Sequence, residues 1–387
     1  MSGIVLSAAV RQNLLSLQGT AALLATTQNA LATGNKVNSA LDNPTNFFTA
    51  QGLNNRASDI GNLLDSIGNG VQVLQAANTG LTSLQSLVDT AKSIANQVLQ
   101  APAGYTTHST STSSAALTGT AANLTDGTLI KSGEVLSIAA TGGGTATAFT
   151  FGATTTLAQL NTALASNNLT ASLDSSNNLV FSTTNDVLSS TIGTIALSGT
   201  TGSVTFGAPT APTADASSQA TRASLVSQYN NIITQITTTA QDSSFNGINL
   251  LNGDNLKLTF DETAKSTLTI TGVTFNAAGL GLGSLTAGTD FLDNSSANAA
   301  LTKLSAASTT LRTEASALGS NLSVVQLRQD FNKNLINVLQ TGASNLTLAD
   351  PNEEAANSQA LSTRQSIATS ALALANQSQQ SVLQLLR

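Results

Sequence analysis

No cysteine and no tryptophan occur in the 387 residues, and there is a single histidine. Disulfides and thiolate metal sites are thereby excluded, and a Ser-His-Asp triad or a multi-histidine metal site has almost nothing to draw on. The lone imidazole, His108, lies in a Thr/Ser loop and reads as an incidental surface residue. Charge is scarce as well: 9% of residues are charged, 3% are aromatic, and the net charge is -6. With no basic patch to meet phosphates, a nucleic-acid partner is not expected. No apolar run approaches the roughly 20 residues that span a bilayer, so membrane insertion is not expected either. The stretch "MSGIVLSAAVRQNLLSLQG" has no basic segment ahead of its apolar residues, which polar ones soon interrupt. It does not read as a secretory signal, so if the protein leaves the cell it must use a route that reads no cleavable one.

Motifs for chemistry are also missing. The glycine run of "EVLSIAATGGGTATAFTFG" lies between strand patterns and has no following Lys-Ser or Lys-Thr, so it is no phosphate loop. Glu353 and Glu354 follow Pro351, where a first helical turn favours acidic groups, and they need no catalytic role. "NGDN" reads as a turn before it reads as a cation site. Catalytic, cofactor-binding and metal-binding residues are therefore expected to be none, and the chain is not read as an enzyme.

What the sequence does have is two terminal helices with matching seams. Val10, Leu14, Leu17, Ala21, Leu24, Gln28 and Leu31 follow one another at alternating steps of four and three, as do Leu361, Gln365, Ala368, Leu372, Ala375, Gln379, Val382 and Leu386. Such steps define a heptad stripe. At 1.5 Å per residue the last segment forms a rod on the order of 50 Å. Its outward residues are Ser, Thr, Asn and Gln, where a solvent-facing helix normally carries many charges. The last helix can belong to an ordinary intramolecular bundle, or the two ends can pair and be buried among copies of the chain. The shared want of charge, with Arg11 alone between Met1 and Gly34, favours the second.

Between the ends the layout is palindromic. A long helix from about Gly52 to Leu99 carries Ile60, Leu64, Ile67, Val71, Leu74, Leu81, Leu84 and Val88 at helical spacing, and "SALDNPTNFF" separates it from the first helix. A matching helix holds Leu301, Leu304, Leu311, Leu318, Leu322, Val325, Leu335 and Val338, with a break at Pro351. From Thr106 the chain becomes rich in Thr, Ser, Gly and Ala, with a short helix in "TLAQLNTALASNN" and a hairpin in "LTASLDSSNNLVFS". Another helix is read from about Ala216 to Thr239, and then a return to β structure with Asn-Gly turns. The expected fold is mainly α: a two-ended helical bundle with its N- and C-terminal helices paired, an inserted small α+β domain and a β-hairpin region. The expected division is 1–42 with 353–387, 43–105 with 216–352, and 106–215.

These residues resemble those of the bacterial flagellins. "ALATGNKVNSALDNPTNFFTAQGLNNRASDIGN" is similar to the family's amino-terminal signature, "FNGINLLNG" to its hairpin, and "ALANQSQQSVLQLLR" to its carboxyl terminus. "DNPTNFF" resembles the alphaproteobacterial branch, and the central strands resemble a β-rich module inserted in several flagellins and hook-associated proteins. The resemblance implies a subunit of the extracellular flagellar filament, exported by the flagellar type III apparatus with a chaperone. It implies as partners further copies in a helical homopolymer, the filament cap and the hook-filament junction proteins. It makes Val10, Leu14, Leu17, Leu24, Leu31, Leu361, Ala368, Leu372, Ala375, Val382 and Leu386 the polymerisation seam. The stretch Leu84, Gln85, Ser86, Val88 and Asp89 matches the part read by the innate immune receptor, but Ser86 and Val88 stand where recognised flagellins have arginines. Weak or absent receptor activation is implied. A hook-filament junction protein is the nearest alternative, and a secreted Ser/Thr-rich adhesin a more distant one. A metallopeptidase-bearing flagellin requires His-Glu-x-x-His, which is absent.

Overall fold

A computed structural model describes residues 8–199 and 204–385. It is mainly helical: in chain order α1 (Ala8–Thr33) and α2 (Pro44–Gln100) precede a central β-rich segment that contains the short helix α3 (Leu157–Leu164), and α4 (Ala216–Asp242), α5 (Asn294–Thr347) and α6 (Pro351–Leu385) follow it. Two compact units are formed. One draws on Met1–Val71, Lys257–Leu268 and Ser323–Arg387, the other on Gln72–Leu256 and Thr269–Leu322, so that α2 and α5 contribute to both.

In the first unit, α1 ends where Gly34 turns into left-handed backbone at φ +71, a conformation glycine adopts without steric cost. The chain leaving it is held by Lys36 N–H donating to Thr347 O at 2.7 Å and Ala349 N–H donating to Gly34 O at 3.0 Å. Asp42 then gathers the turn, accepting from the backbone N–H of Asn38 at 3.0 Å and of Ser39 at 2.8 Å. α2 begins at Pro44, ahead of the expected Gly52. The proline does not break the helix but opens it: its fixed φ suits the first helical position, where no N–H is needed, and Asn43 Oδ1 caps by accepting Asn46 N–H at 3.0 Å. Ala57 and Ile60 of α2 share a small core with Leu339 of α5. The inward position there is Leu339; Val338, expected on the buried stripe, is 66% exposed. The hairpin of β7 (Leu256–Thr259) and β8 (Thr267–Ile270) is held to both helices at its tip. Arg56 Nε lies 2.6 Å from Glu262, and the buried Asn332 amide donates to Phe260 O at 3.0 Å.

The second unit contains the insertion. β1 (Thr110–Thr112), β5 (Leu179–Thr183) and β4 (Leu169–Leu173) form one antiparallel sheet in that spatial order. β3 (Thr147–Thr150), β2 (Val135–Ile138) and β6 (Ile195–Ser198) form another. Leu179 and Phe181 point inward from β5 by simple alternation. They join Leu136, Phe151, Leu160 and Leu164 in a core whose members all lie between Leu117 and Phe206. α3 is set by a capping box: Thr156 Oγ1 accepts Gln159 N–H and Gln159 Oε1 accepts Thr156 N–H. Asn167 is fully buried yet satisfied, accepting Thr141 N–H at 2.7 Å and donating to Ala139 O at 3.1 Å.

Asp126 organises the loop ahead of β2. Burial raises its pKa, but bonds from the backbone N–H of Ile130, Thr128 and Leu129 and from the Thr118 hydroxyl outweigh this, and the carboxyl is lowered from 3.8 to about 2. A folded-state pKa below the unfolded one gives stability that is fully present above the unfolded value and lost as pH falls through the folded one. Asp126→Asn is therefore expected to lower the stability of the insertion by about 1–2 kcal/mol at neutral pH. Comparing unfolding at pH 6 and pH 2 checks this: the variant should lose less than the parent over that window, and equal losses would assign the acid sensitivity elsewhere.

Candidate assembly surface

α1 and α6 run side by side in the first unit, and an antiparallel bridge joins Asn35 to Leu348 where one ends and the other begins. Along α6 from Leu361 onward, the half-buried positions are Leu361, Gln365, Ala368, Leu372 and Ala375. On α1 they are Asn13, Leu17, Thr20, Ala21 and Leu24, with Val10, Thr27 and Ala30 buried. Small and polar residues thus occupy much of α1's inner side, which lets two helix axes approach closely. Leu14 and Leu31 fall outside this contact, at 38% and 43% exposed. The side chain of Val382 and the whole of Leu386 lie outside the described residues.

The other faces of these helices are where an ordinary bundle would be polar and charged. Instead Leu15, Leu23, Ile367 and Leu374 are exposed, the last at 69%. Ile367, Ala371 and Leu374 form an apolar groove rimmed by Thr363, Ser366 and Ser370. Hydroxyls along α1 and α6 turn back onto their own helix, as Thr20 does to Ser16 O at 2.9 Å and Thr363 to Gln359 O at 2.9 Å. This back-bonding satisfies the donor of each hydroxyl within its own helix. α5 adds a stripe of its own, Val324, Leu327, Phe331 and Val338, all exposed. On α6 sequence periodicity singles out the stripe that pairs within the chain, on α1 it mixes that stripe with the exposed Leu14 and Leu31, and on α5 it passes over the exposed stripe apart from Val338. The signal of the exposed stripes is nonetheless the same heptad step, from Ile367 to Leu374 on α6 and from Val324 through Phe331 to Val338 on α5.

The stretch from Leu84 to Asp89 divides between core and surface. Leu84 and Val88 are fully buried, while Ser86 and Asp89 are exposed. The Gln85 amide donates to Ser308 Oγ at 2.8 Å and to Asp89 Oδ1 at 3.1 Å, and Ser86 Oγ donates to Thr82 O at 3.1 Å. His108 Nδ1 lies 2.6 Å from Thr183 O. Among the described residues no group of three or more His, Asp or Glu is placed to hold a metal, and no helix is long and apolar enough to cross a membrane.

Residues 5–126 match the family described as the bacterial flagellin N-terminal helical region, and residues 301–386 match the bacterial flagellin C-terminal helical region. Flagellin FljM of Caulobacter vibrioides is 32% identical over 164 residues, 42% of this chain and 59% of the relative, so the chain spans about three fifths of that relative's length. Flagellin FljK of the same organism is 31% identical over 164 residues, again 42% of this chain and 59% of the relative. Flagellin A of Rhizobium meliloti is 37% identical over 90 residues, 23% of each chain. The two terminal matches, which together cover more than half of the sequence, and the paired helices they fall on lead to one conclusion: the chain belongs to the bacterial flagellin family.

Proposed function

We propose that the protein is a structural subunit that polymerises into the helical flagellar filament used as a propeller for swimming. The observation that carries this reading is the α1 and α6 pair, which buries one stripe within the chain and keeps a second apolar, nearly uncharged face outward. A helical polymer needs heterologous contacts, one patch meeting a different one, so that growth stays open. The outward faces of α1, α6 and α5 supply several distinct patches. In this reading 1–42 with 353–387 line the inner tube, 43–105 with 216–352 form the next shell, and 106–215 is displayed outside. The export apparatus, a chaperone, the cap and the junction proteins are the partners.

The test is sedimentation and electron microscopy after seeding with filament fragments, comparing the full chain with one lacking residues 355–387. The full chain should form filaments and the shortened one remain soluble. Failure of both to form filaments would place α6 in an ordinary intramolecular bundle.

For the immune receptor, the matching stretch brings Ser86 and Asp89 to the surface and carries no arginine of its own, which supports weak activation. A reporter-cell response to Ser86→Arg protein above that of the parent would agree with this. Val88→Arg is unsuitable for the purpose, because an unpaired charge at that buried position is strongly destabilising.

A further inference from the structure

Arg222, on α4, is the largest side chain with almost no exposure, at 1%. Its guanidinium is spread over three backbone carbonyls: Nε donates to Pro102 O at 2.7 Å, Nη2 to Ala101 O at 3.0 Å and Nη1 to Phe291 O at 2.7 Å. Burial pushes its pKa down, and the nearby Asp293 carboxylate opposes that shift. Asp293 is itself buried, and one of its oxygens accepts the hydroxyl of Ser189, which belongs to the insertion. Its other oxygen accepts Ser296 N–H at the start of α5.

Phe291, between these groups, has left-handed backbone at φ +60, an outlier for a bulky residue. Such strain persists only where the surroundings over-determine it. Here the Phe291 carbonyl is bonded to Arg222, its N–H donates to Ser296 Oγ at 2.8 Å, and its ring meets Tyr229 edge-on at 5.7 Å. The insertion leaves and re-enters beside this cluster through a two-stranded neck, in which Thr106 N–H donates to Thr213 O at 2.8 Å and Asp215 N–H to Gly104 O at 2.9 Å. Gly104 N–H in turn donates to Leu292 O at 3.3 Å.

We infer that Arg222, Asp293 and Ser189 form a buried latch that fixes the angle at which the insertion leaves the helices, so that insertion and helices move as one body. A two-stranded neck alone is a hinge. The Ser189 to Asp293 bond gives a second point of attachment, and Arg222 holds the segment that carries Asp293 in its strained form.

The absence of cysteine makes the test direct, since labels attach only where cysteine is introduced. Spin labels at Ser175→Cys in the insertion and Gln235→Cys on α4, both at exposed positions, report the inter-label distance in the free full-length chain. The latched chain should give one narrow distribution. Ser189→Ala and Arg222→Lys, which keeps the charge but loses the planar fork, should broaden it about twofold and speed exchange of the neck amides roughly tenfold. Distributions of unchanged width in both variants, with unchanged neck exchange, would overturn the latch. If Arg222→Lys loses helical structure, Ser189→Ala decides by itself, because it removes only one half-buried hydroxyl. The measurement needs no filament, so it stands whether or not the chain polymerises.

Discussion

Truncating Phe181 to alanine is expected to unfold the insertion at a temperature where the helices remain intact. Phe181 is fully buried on the middle strand β5, paired with Ser111 on one side and Ala171 on the other, and its ring meets Phe206 at 5.1 Å. Both neighbours are small, so neither can swing into the space that the ring vacates. A Phe→Ala change at such a site costs about 3–5 kcal/mol, a large part of the roughly 5–15 kcal/mol that holds a typical domain. The loss should stay local because the core to which Phe181 belongs contains no residue of the long helices. Hydrogen exchange followed during heating checks this. Amides of β4 and β5 should lose protection roughly 15 °C or more below the parent, with those of α2 and α5 unchanged. Simultaneous loss in both would mean that the insertion and helices unfold as one cooperative unit.

The α6 seam is legible in the sequence from Leu361 to Ala375: Leu361, Gln365, Ala368, Leu372 and Ala375 are the residues half-buried there. On α1 the same rule selects Leu14 and Leu31, which are exposed, because hydrophobic spacing marks apolar stripes but not which stripe meets which partner. A helix with two apolar faces satisfies the heptad rule on either. Pro44 illustrates a different ambiguity: a proline ends one helix pattern and begins another with equal local merit, and only the Asn43 cap distinguishes the cases. In the insertion, the β4 and β5 hairpin and α3 are legible because their signals are local. The pairing of β1 with β5, about seventy residues apart, leaves no local trace. Arg222 is harder still. In "SSQATRASL" it looks like a solvated charge, and its burial depends on carbonyls from Ala101, Pro102 and Phe291 that the fold brings together.

Charge placed on the two faces of α6 should produce two different failures. Leu361→Asp with Leu372→Asp strikes the face against α1, where the side chains are half-buried within the chain. The pair should separate in the free protein, with loss of helical signal from both termini. Ile367→Asp with Leu374→Asp strikes the groove on the other side, where the leucine is 69% exposed and has no apolar cover in the free chain. That variant should keep the α1 and α6 pairing and the parent's helical content. If the groove is buried between copies, however, each substitution removes about 2 kcal/mol of apolar burial and adds the cost of desolvating a carboxylate. Two such changes raise the critical concentration for polymerisation by about a thousandfold or more, which amounts to no filaments at ordinary concentrations. Sedimentation of seeded samples beside circular dichroism of the monomers separates the two outcomes. Filaments of normal yield from the Ile367 and Leu374 variant would show that the groove faces water in the polymer. The contacts would then have to be sought on α5, along Val324, Leu327, Phe331 and Val338.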